Sequence, residues 1–233
     1  MQTKPIIALD FSNYKEVKNF LKNFKKEKLF VKIGMELFYK YGPSIVKKIQ
    51  KQNHDVFIDL KLHDIPNTVY KATKNILALN PKIITVHASG GSEMLEYAYK
   101  AKKELNSDTK ILAITCLTSI DKKILNDELK IELSIEQAAL NLAKLANQNK
   151  IDGVVCSVFE VEKIKTNISK DFICLTPGIR NKVQSSDQKR VASVELARKS
   201  KSNYIVVGRE ITTAKEPYKT YLEIKGEWQN AKN

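Results

Sequence analysis

Eight short runs of apolar residues, most of them rich in valine and isoleucine, recur along the chain. Each run is almost continuously hydrophobic instead of alternating with polar residues, which is typical of parallel strands that are covered on both faces. The segments between the runs have the hydrophobic spacing of amphipathic helices. The predicted strands are residues 6–9, 30–33, 56–60, 83–86, 111–114, 154–156, 172–175 and 204–207.

Strand and helix alternate through the whole chain, and eight such units in 233 residues average about 29 residues each. This is the size expected of a slightly compact (β/α)8 TIM barrel. A doubly wound open sheet is the alternative α/β fold, but no GxGxxG turn follows the first run, and the number of strands favours the closed barrel. We predict a single barrel domain over residues 1–233, in which residues 218–233 form a C-terminal extension that packs on the barrel or frays from it.

The composition, with 42% hydrophobic and 28% charged residues, is that of a globular protein and excludes collagen-like and wholly disordered chains. The formal charge is +14, so an anionic partner is expected. Because the basic residues are spread along the chain and no basic run is interleaved with aromatic residues, we predict a small anionic substrate and no nucleic-acid partner. A basic nucleic-acid-binding protein remains the alternative from a different functional class.

The three cysteines, Cys116, Cys156 and Cys174, each lie in an apolar stretch and have no CxxC spacing. We therefore expect them to be small buried hydrophobic residues without a redox or metal role. The apolar run near the N-terminus is too short for a signal peptide, and no segment approaches the ~20 apolar residues of a membrane span. These features predict a cytoplasmic protein with no membrane partner.

Polar or charged residues stand at or just after the end of almost every predicted strand. In a barrel, the carboxyl ends of all strands meet at one face, and the loops that follow them build the active site. We therefore expect these side chains to converge there. They are Asp10, Lys32, Asp59, Lys61, His87, Thr118, Ser157, Arg180, Gly208 and Arg209.

The densest polar segment is DLKLHDIPNT, residues 59–68. Asp59 and Lys61 are two positions apart on a predicted strand, so their side chains should point to the same face. Because Asp64 follows closely and nearby negative charge favours a protonated amine, Lys61 is predicted to be an acid and a poor nucleophile. A structural ion-pair network is one alternative. A magnesium site is another, but Lys61 and Lys32 would compete with the metal.

The last two predicted strands end in TPGIR, residues 176–180, and in Gly208 and Arg209. Glycine lets backbone N–H groups approach an anion closely, and the planar guanidinium group suits phosphate oxygens. The loops after strands seven and eight are also where TIM barrels often bind phosphate. Because two of only four arginines lie here, the sequence predicts a phosphate site at this corner.

With these motifs together, the chain resembles the orotidine 5′-monophosphate decarboxylase family of the bacterial type. The resemblance extends over about residues 6–217, and DxKxxDIPNT followed in order by PGIR and VGR is its most specific part. The matching segments are ALD, VKIG, DLKLHDIPNT, TVHASGG, LTS, PGIR, DQKR and VVGR.

The resemblance implies decarboxylation of orotidine 5′-monophosphate to uridine 5′-monophosphate in de novo pyrimidine biosynthesis, with no metal or cofactor. It implies that Lys61 protonates C6 of the ring within a network that also contains Lys32, Asp59 and Asp64. In a homodimer, Asp64 and Thr68 would reach the active site of the partner subunit. For Asp59, both ground-state repulsion of the substrate carboxylate and electrostatic stabilisation of the transition state remain open.

The resemblance also implies three groups of substrate-binding residues. Asp10 and Lys32 would hold the ribose, with Asp59 nearby, and Thr118 and Ser157 would lie near the pyrimidine. The phosphate group would be bound by residues of the last two loops. These are Arg180, Gln188, Gly208 and Arg209.

The chain departs from the pattern of the family only in its last third, at Ser193 and Val194, at residues 201–203, and at Glu210, which stands in place of a proline. This negative charge close to the predicted phosphate site leads us to expect a weaker affinity for substrate. The alternative enzymes are magnesium-dependent sugar-phosphate decarboxylases and synthases of the same superfamily, which share the DxKxxD motif. They are less similar, because an acidic metal ligand replaces Lys32 in them.

Overall fold

Eight parallel strands pair in sequence order and close on themselves to form a barrel. The structure, a computed structural model, describes residues 3–24, 27–181 and 190–229. Pairing of Ile6 with Val206 joins the first strand to the last. The strands are β1 (Ile6–Ala8), β2 (Phe30–Gly34), β3 (Asp55–Leu62), β4 (Ile83–His87), β5 (Lys110–Ile114), β6 (Gly153–Val155), β7 (Ile173–Thr176) and β8 (Tyr204–Val207).

The closed sheet confirms the predicted (β/α)8 TIM barrel and excludes a doubly wound sheet, because β1 pairs with β8. Each predicted run contains a strand, and the observed bounds lie within two residues of the predicted ones. The largest difference is in β3, which continues past Leu60 to Leu62. It does so because Leu62 pairs with β4 again after a local irregularity.

Helices cover the outside of the barrel, and polar side chains fix where several of them begin. Asn13 accepts a hydrogen bond from the N–H of Glu16, and Ser134 accepts one from the N–H of Gln137. The helices are α1 (Tyr14–Leu21), α2 (Met35–Tyr41), α3 (Pro43–Gln50), α4 (Pro66–Leu77), α5 (Gly91–Glu104), α6 (Ile135–Gln148), α7 (Val158–Asn167), α8 (Val194–Lys199), α9 (Arg209–Thr212) and α10 (Pro217–Gln229).

The core has two layers that the same strands supply. Successive side chains of a strand point to opposite faces, so Ile6 packs inside the barrel and Ile7 packs against the helices. Phe57, Leu112 and Leu175 help to fill the interior. Burial on both faces explains why the strands read as continuous apolar runs in the sequence.

Helix α10 packs on the outside of the barrel. Its residues Tyr221, Ile224 and Trp228 are buried. The ring of Tyr221 stands edge-on to that of Phe24, with 5.7 Å between the ring centroids. The end of the chain is therefore part of the folded body as far as Gln229, the last residue that the structure describes.

All three cysteines are free and buried, as predicted. Burial raises the pKa of the Cys116 thiol to about 11, so this thiol stays protonated near neutral pH and is a weak nucleophile. Across the described ranges, the helices are too short or too polar to cross a membrane.

Gly153 of β6 is a position at which the barrel has no space for a side chain. A Cβ atom there would lie 2.2 Å from the carbonyl oxygen of Ile173, which is backbone of β7 and cannot rotate away. We expect Gly153→Ala to lower the free energy of unfolding by about 3 kcal/mol. Thermal unfolding should show a decrease in Tm of about 6–12 °C.

Gly34→Ala is the matched control for thermal stability. Gly34 ends β2, and an added Cβ would meet side-chain atoms and no backbone, with Nζ of Lys32 at 3.2 Å and Oδ1 of Asp10 at 3.7 Å. Its Tm should stay within about 3 °C of the wild-type value. Equal Tm values for the two variants would contradict the close packing of β6 against β7.

Candidate active site

A cavity of about 420 Å³ opens at the carboxyl ends of the strands, the face at which the sequence predicts the site. Inward-facing side chains of the barrel, including Ile114, Val155 and Val206, form its apolar floor. Predicted site residues form much of the remaining wall. Those that line the cavity are Asp10, Lys32, Asp59, Lys61, Thr118, Arg180, Gly208 and Arg209.

One carboxylate holds two ammonium groups at one side of this cavity. Oδ2 of Asp59 lies 2.9 Å from Nζ of Lys61 and 3.5 Å from Nζ of Lys32. Nζ of Lys32 also lies 3.1 Å from Oδ1 of Asp10. Asp10, Lys32, Asp59 and Lys61 therefore form one row of alternating charge.

Burial and neighbouring charge act on these groups in opposite directions. Burial favours the neutral acid of Asp59, but Lys32, Lys61 and a hydrogen bond from Thr85 outweigh it and lower its pKa below the ordinary value of 3.8. Burial also disfavours the charge of Lys32, but Asp59 and Asp10 outweigh it and raise its pKa above 10.5. Asp59 and Lys32 are therefore both charged over the neutral range.

Lys61 reaches the cavity through an irregularity of β3 and not through the regular alternation that we predicted. Ile58 pairs with Ile84 and Leu62 with Val86, so four steps along β3 correspond to two along β4. Lys61 has a positive φ of 51°, in the left-handed region. Such backbone strain costs about 1–3 kcal/mol and is concentrated at functional sites. Asp59 and Lys61 meet as expected, but a bulge brings them together.

Thr85 of β4 is a part of the site that the sequence analysis missed. Its hydroxyl donates to Oδ1 of Asp59 at 3.0 Å and accepts the N–H of Lys61 at 2.9 Å. One buried hydroxyl therefore orients both the carboxylate and the bulged backbone. Threonine is common in strands, so the only available signal was a single polar residue within an apolar run.

Four predicted site residues of the described chain do not line the cavity, namely Asp64, Thr68, His87 and Ser157. Asp64 and Thr68 lie on the loop and first turn after β3, and both are exposed. Ser157 is buried, and its N–H donates to Oε2 of Glu160 at the start of α7. Gln188 lies outside the residues that the structure describes.

The loops after β7 and β8 form the opposite side of the cavity. Gly178 has a φ of 74°, a conformation that a residue with a side chain adopts only at a cost. Arg180 is half-buried and Arg209 is exposed, and both line the cavity. Two guanidinium groups beside a glycine-containing turn form a suitable site for a phosphate group.

Glu210 follows Arg209 directly, but its carboxylate is engaged by the backbone of a neighbouring loop. Oε2 of Glu210 accepts the N–H of Asn181 at 2.8 Å, and Nδ2 of Asn181 donates to Glu227 at 2.6 Å. Glu210 lines an adjoining cavity that shares Arg180 and Arg209 with the candidate site. It therefore supports the chain next to Arg180, and its effect on substrate affinity stays a prediction.

The acidic groups of the cavity are paired with lysines instead of being arranged around a space for a metal. Lys32 lies between Asp10 and Asp59. Within residues 3–24, 27–181 and 190–229, no group of three or more histidine, cysteine, aspartate or glutamate side chains is arranged to hold a metal ion. The side chains present suit an anion better than a divalent cation.

Comparison with known proteins identifies the family. The sequence model of the orotidine 5′-phosphate decarboxylase / HUMPS family matches residues 3–224. The chain belongs to this family. The resemblance drawn from the sequence motifs is thus confirmed, and so is the prediction of an enzyme of the carboxy-lyase class.

Individual relatives match over almost their whole length. Orotidine 5′-phosphate decarboxylase of Staphylococcus saprophyticus is 48% identical over 229 residues, which cover 98% of this chain and 99% of the relative. The crystal structure of orotidine 5′-phosphate decarboxylase from Lactobacillus acidophilus has a TM-score of 0.86 at 40% identity, over 97% and 99% of the two chains. The enzyme from Methanocaldococcus jannaschii, complexed with the inhibitor BMP, is 23% identical with a TM-score of 0.78 over 99% and 100%, and supports the fold.

Removal of the Asp59 carboxylate should destabilise the fold because Lys61 would lose its counter-charge, and the nearby Lys32 would keep only Asp10. We expect Asp59→Asn to lower the free energy of unfolding at pH 7 by about 3 kcal/mol in urea titrations. Asp10→Asn is the control, because the Asp10 side chain is 62% exposed, and it should cost less than about 1 kcal/mol.

The difference in the free energy of unfolding between wild type and Asp59→Asn should also depend on pH. The pKa of Asp59 is lower in the folded state, so its contribution is complete above the ordinary value of 3.8 and is lost as the pH falls through the folded value. The difference should be constant from pH 7 to about pH 5 and shrink below about pH 4. An Asp59→Asn variant that is more stable than wild type at pH 7 would contradict this account.

Proposed function

We propose that the protein decarboxylates orotidine 5′-monophosphate to uridine 5′-monophosphate in de novo pyrimidine biosynthesis, with Lys61 as proton donor and without a metal or cofactor. The observation that carries the proposal is the ammonium group of Lys61, which lines the cavity 2.9 Å from Asp59 in a chain of this family. The full-length similarity to enzymes named as orotidine 5′-phosphate decarboxylases favours this reaction over others of the family.

The charges of the cavity suit a substrate with an anion at each end. Orotidine 5′-monophosphate carries a phosphate on its ribose and a carboxylate on its ring. Arg180 and Arg209 provide guanidinium groups at one side of the cavity, and Lys32 and Lys61 provide ammonium groups at the other. A substrate that spans the cavity would place its phosphate against the arginines and its ring carboxylate near the lysines.

The reaction then needs one positioned acid. The bond between C6 and the carboxylate breaks, its electron pair stays on C6, and carbon dioxide leaves. Lys61 donates a proton from Nζ to C6, which gives uridine 5′-monophosphate, and the neutral amine regains a proton from solvent. Asp59 and Thr85 hold Lys61 in place, through its Nζ and its backbone N–H respectively.

We propose in addition that the enzyme acts as a homodimer in the cytoplasm. Asp64 and Thr68 are exposed beside the cavity of their own chain without lining it, so their side chains are available to a second subunit. The neighbouring Ile65 is 69% exposed, which is unusual for a large apolar side chain and favours burial by a partner.

Two other functions are less well supported. A magnesium-dependent sugar-phosphate enzyme would use the acidic groups of the site as metal ligands, but Lys32 and Lys61 occupy the positions around Asp59. A nucleic-acid-binding protein would account for the charge of +14 but not for the charged row inside the cavity.

The direct test follows the loss of orotate-ring absorbance when the purified protein meets orotidine 5′-monophosphate in the presence of excess chelator. We expect turnover by the wild type, and a decrease in kcat of about 10²–10⁴-fold or more in Lys61→Ala, because the proton donor is removed.

Lys144→Ala is the matched control, since Lys144 is an exposed lysine of α6, away from the cavity, and its kcat should equal that of wild type. Wild-type protein that turns over sugar phosphates only when Mg²⁺ is added would replace this proposal with the sugar-phosphate alternative. Binding to DNA or RNA that weakens steeply with salt, together with no turnover, would favour the nucleic-acid alternative.

The shared site predicts that two inactive variants restore activity when they are mixed. Lys61→Ala lacks the acid of its own site, and Asp64→Ala lacks the carboxylate that it lends to its partner. In a mixed dimer, the site that keeps its own Lys61 also receives Asp64 from the other subunit. Random exchange of equal amounts should therefore restore about a quarter of the wild-type activity per subunit.

The measurement is turnover after joint refolding of the two variants, compared with each variant refolded alone. Subunit exchange is followed separately, through an affinity tag on one variant that retains the untagged variant only in mixed dimers. Activity of the mixture that stays at the sum of the separate variants, while mixed dimers are recovered, would show that Asp64 does not act across the dimer.

A further inference from the structure

The guanidinium group of Arg190 contacts two other loops at the mouth of the barrel. Its Nη1 binds Oε1 of Glu160, in the first turn of α7. Its Nη2 donates to the carbonyl oxygens of Cys116 and Leu117, at 3.2 Å each, in the segment after β5. Arg190 itself belongs to the connection between β7 and α8. One side chain thus joins the segments that follow β5, β6 and β7.

Burial makes this contact specific. The Glu160 side chain is only 2% exposed and that of Arg190 is 15% exposed. The second carboxylate oxygen of Glu160 accepts the N–H of Ser157 at 2.8 Å, so both oxygens have partners. A buried carboxylate that loses its cation is strongly unfavourable, which keeps Arg190 in one position. Neither residue lines the cavity, and the proposed reaction does not use them directly.

On one side, the contact reaches the loop that borders the cavity near Thr118. Leu117 and Thr118 both line the cavity. The carbonyl of Leu117, which accepts from Arg190, also accepts the N–H of Ile120 at 3.0 Å. Arg190 therefore holds the turn over residues 117–120 from outside the cavity.

On the other side, the contact continues to the predicted phosphate site at Gly178–Arg180, which we call the anion corner. Two residues after Arg190, the backbone of Ala192 forms a bridge with Ile179. The N–H of Arg180 donates to the carbonyl of Ala192 at 2.9 Å, and the N–H of Ala192 donates to the carbonyl of Gly178 at 3.2 Å. Backbone hydrogen bonds therefore connect Gly178 and Arg180 to a residue only two positions from Arg190.

We propose that Arg190 and Glu160 are positioning residues that couple the anion corner at Gly178–Arg180 to the turn at residues 117–120. Binding of a phosphate group at Arg180 and ordering of the loop that carries Thr118 are then parts of one event. The role of this coupling in the reaction rests on the proposed function. The phosphate group of the substrate then orders the loop at the other end of the cavity, where the ring binds.

The test measures the coupling without the reaction. Ribose 5-phosphate carries the phosphate group but has no ring to contact residues 117–120. We expect saturating ribose 5-phosphate to slow hydrogen exchange of the amides in this turn, including that of Ile120, by about tenfold in wild type. In Arg190→Gln, measured at its own saturating concentration, the slowing should be less than about twofold, because the link is cut.

Two further variants separate coupling from stability. Arg190→Gln combined with Glu160→Gln leaves no lone charge in the buried site, so its Tm should recover relative to Arg190→Gln while the slowing of exchange stays absent. Glu195→Gln combined with Lys199→Gln removes an exposed ion pair of 2.7 Å on the neighbouring α8 and should behave as wild type.

Full protection of residues 117–120 by ribose 5-phosphate in Arg190→Gln would overturn the coupling. A wild-type protein that binds ribose 5-phosphate without protection of these residues would overturn it as well. Turnover of orotidine 5′-monophosphate is measured separately on the same samples. A wild type without turnover but with protection overturns the proposed function and leaves the coupling intact, whereas turnover without protection overturns the coupling alone.

Discussion

The carboxylate of Asp59 holds together side chains from three neighbouring strands at the mouth of the barrel. It binds Lys32 of β2 and Lys61 of β3, and it accepts a hydrogen bond from Thr85 of β4. A buried charge is stable only beside a charge of opposite sign, so Asp59 and Lys32, which are both largely buried, fix each other. The parallel register of adjacent strands brings them within reach, and the polar groups of the site therefore depend on the closed sheet beneath them.

The two sides of the cavity are built from different parts of the chain. The lysine side comes from the first half, through β2 and β3, and the arginine side comes from β7 and β8 in the last third. Closure of β1 against β8 brings these distant segments to the two sides of one cavity. Arg190 then joins loops that the sheet brings to the same end of the barrel but does not connect.

The barrel could be predicted from the sequence because the eight apolar runs indicate strands that are buried on both faces, and few folds contain eight such strands. The sequence also predicted the charged residues of the cavity wall, since strand ends must converge in a barrel. It did not predict the bulge at Lys61, because a register shift depends on the partner strand. Nor did it predict Thr85 or the pair of Arg190 and Glu160, whose importance comes from contacts between residues far apart in sequence.

Because of the bulge in β3, the position of Lys61 is not needed for the pairing of β3 with β4. Ile58 and Leu62 have partners on β4 on either side of the irregularity, so the ladder resumes once Lys61 has been presented. Deletion of a dipeptide here would let the two strands run on in regular register, with the barrel intact and the ammonium group gone. Evolution could therefore add or remove the reaction at this strand by a short insertion or deletion, without a new fold.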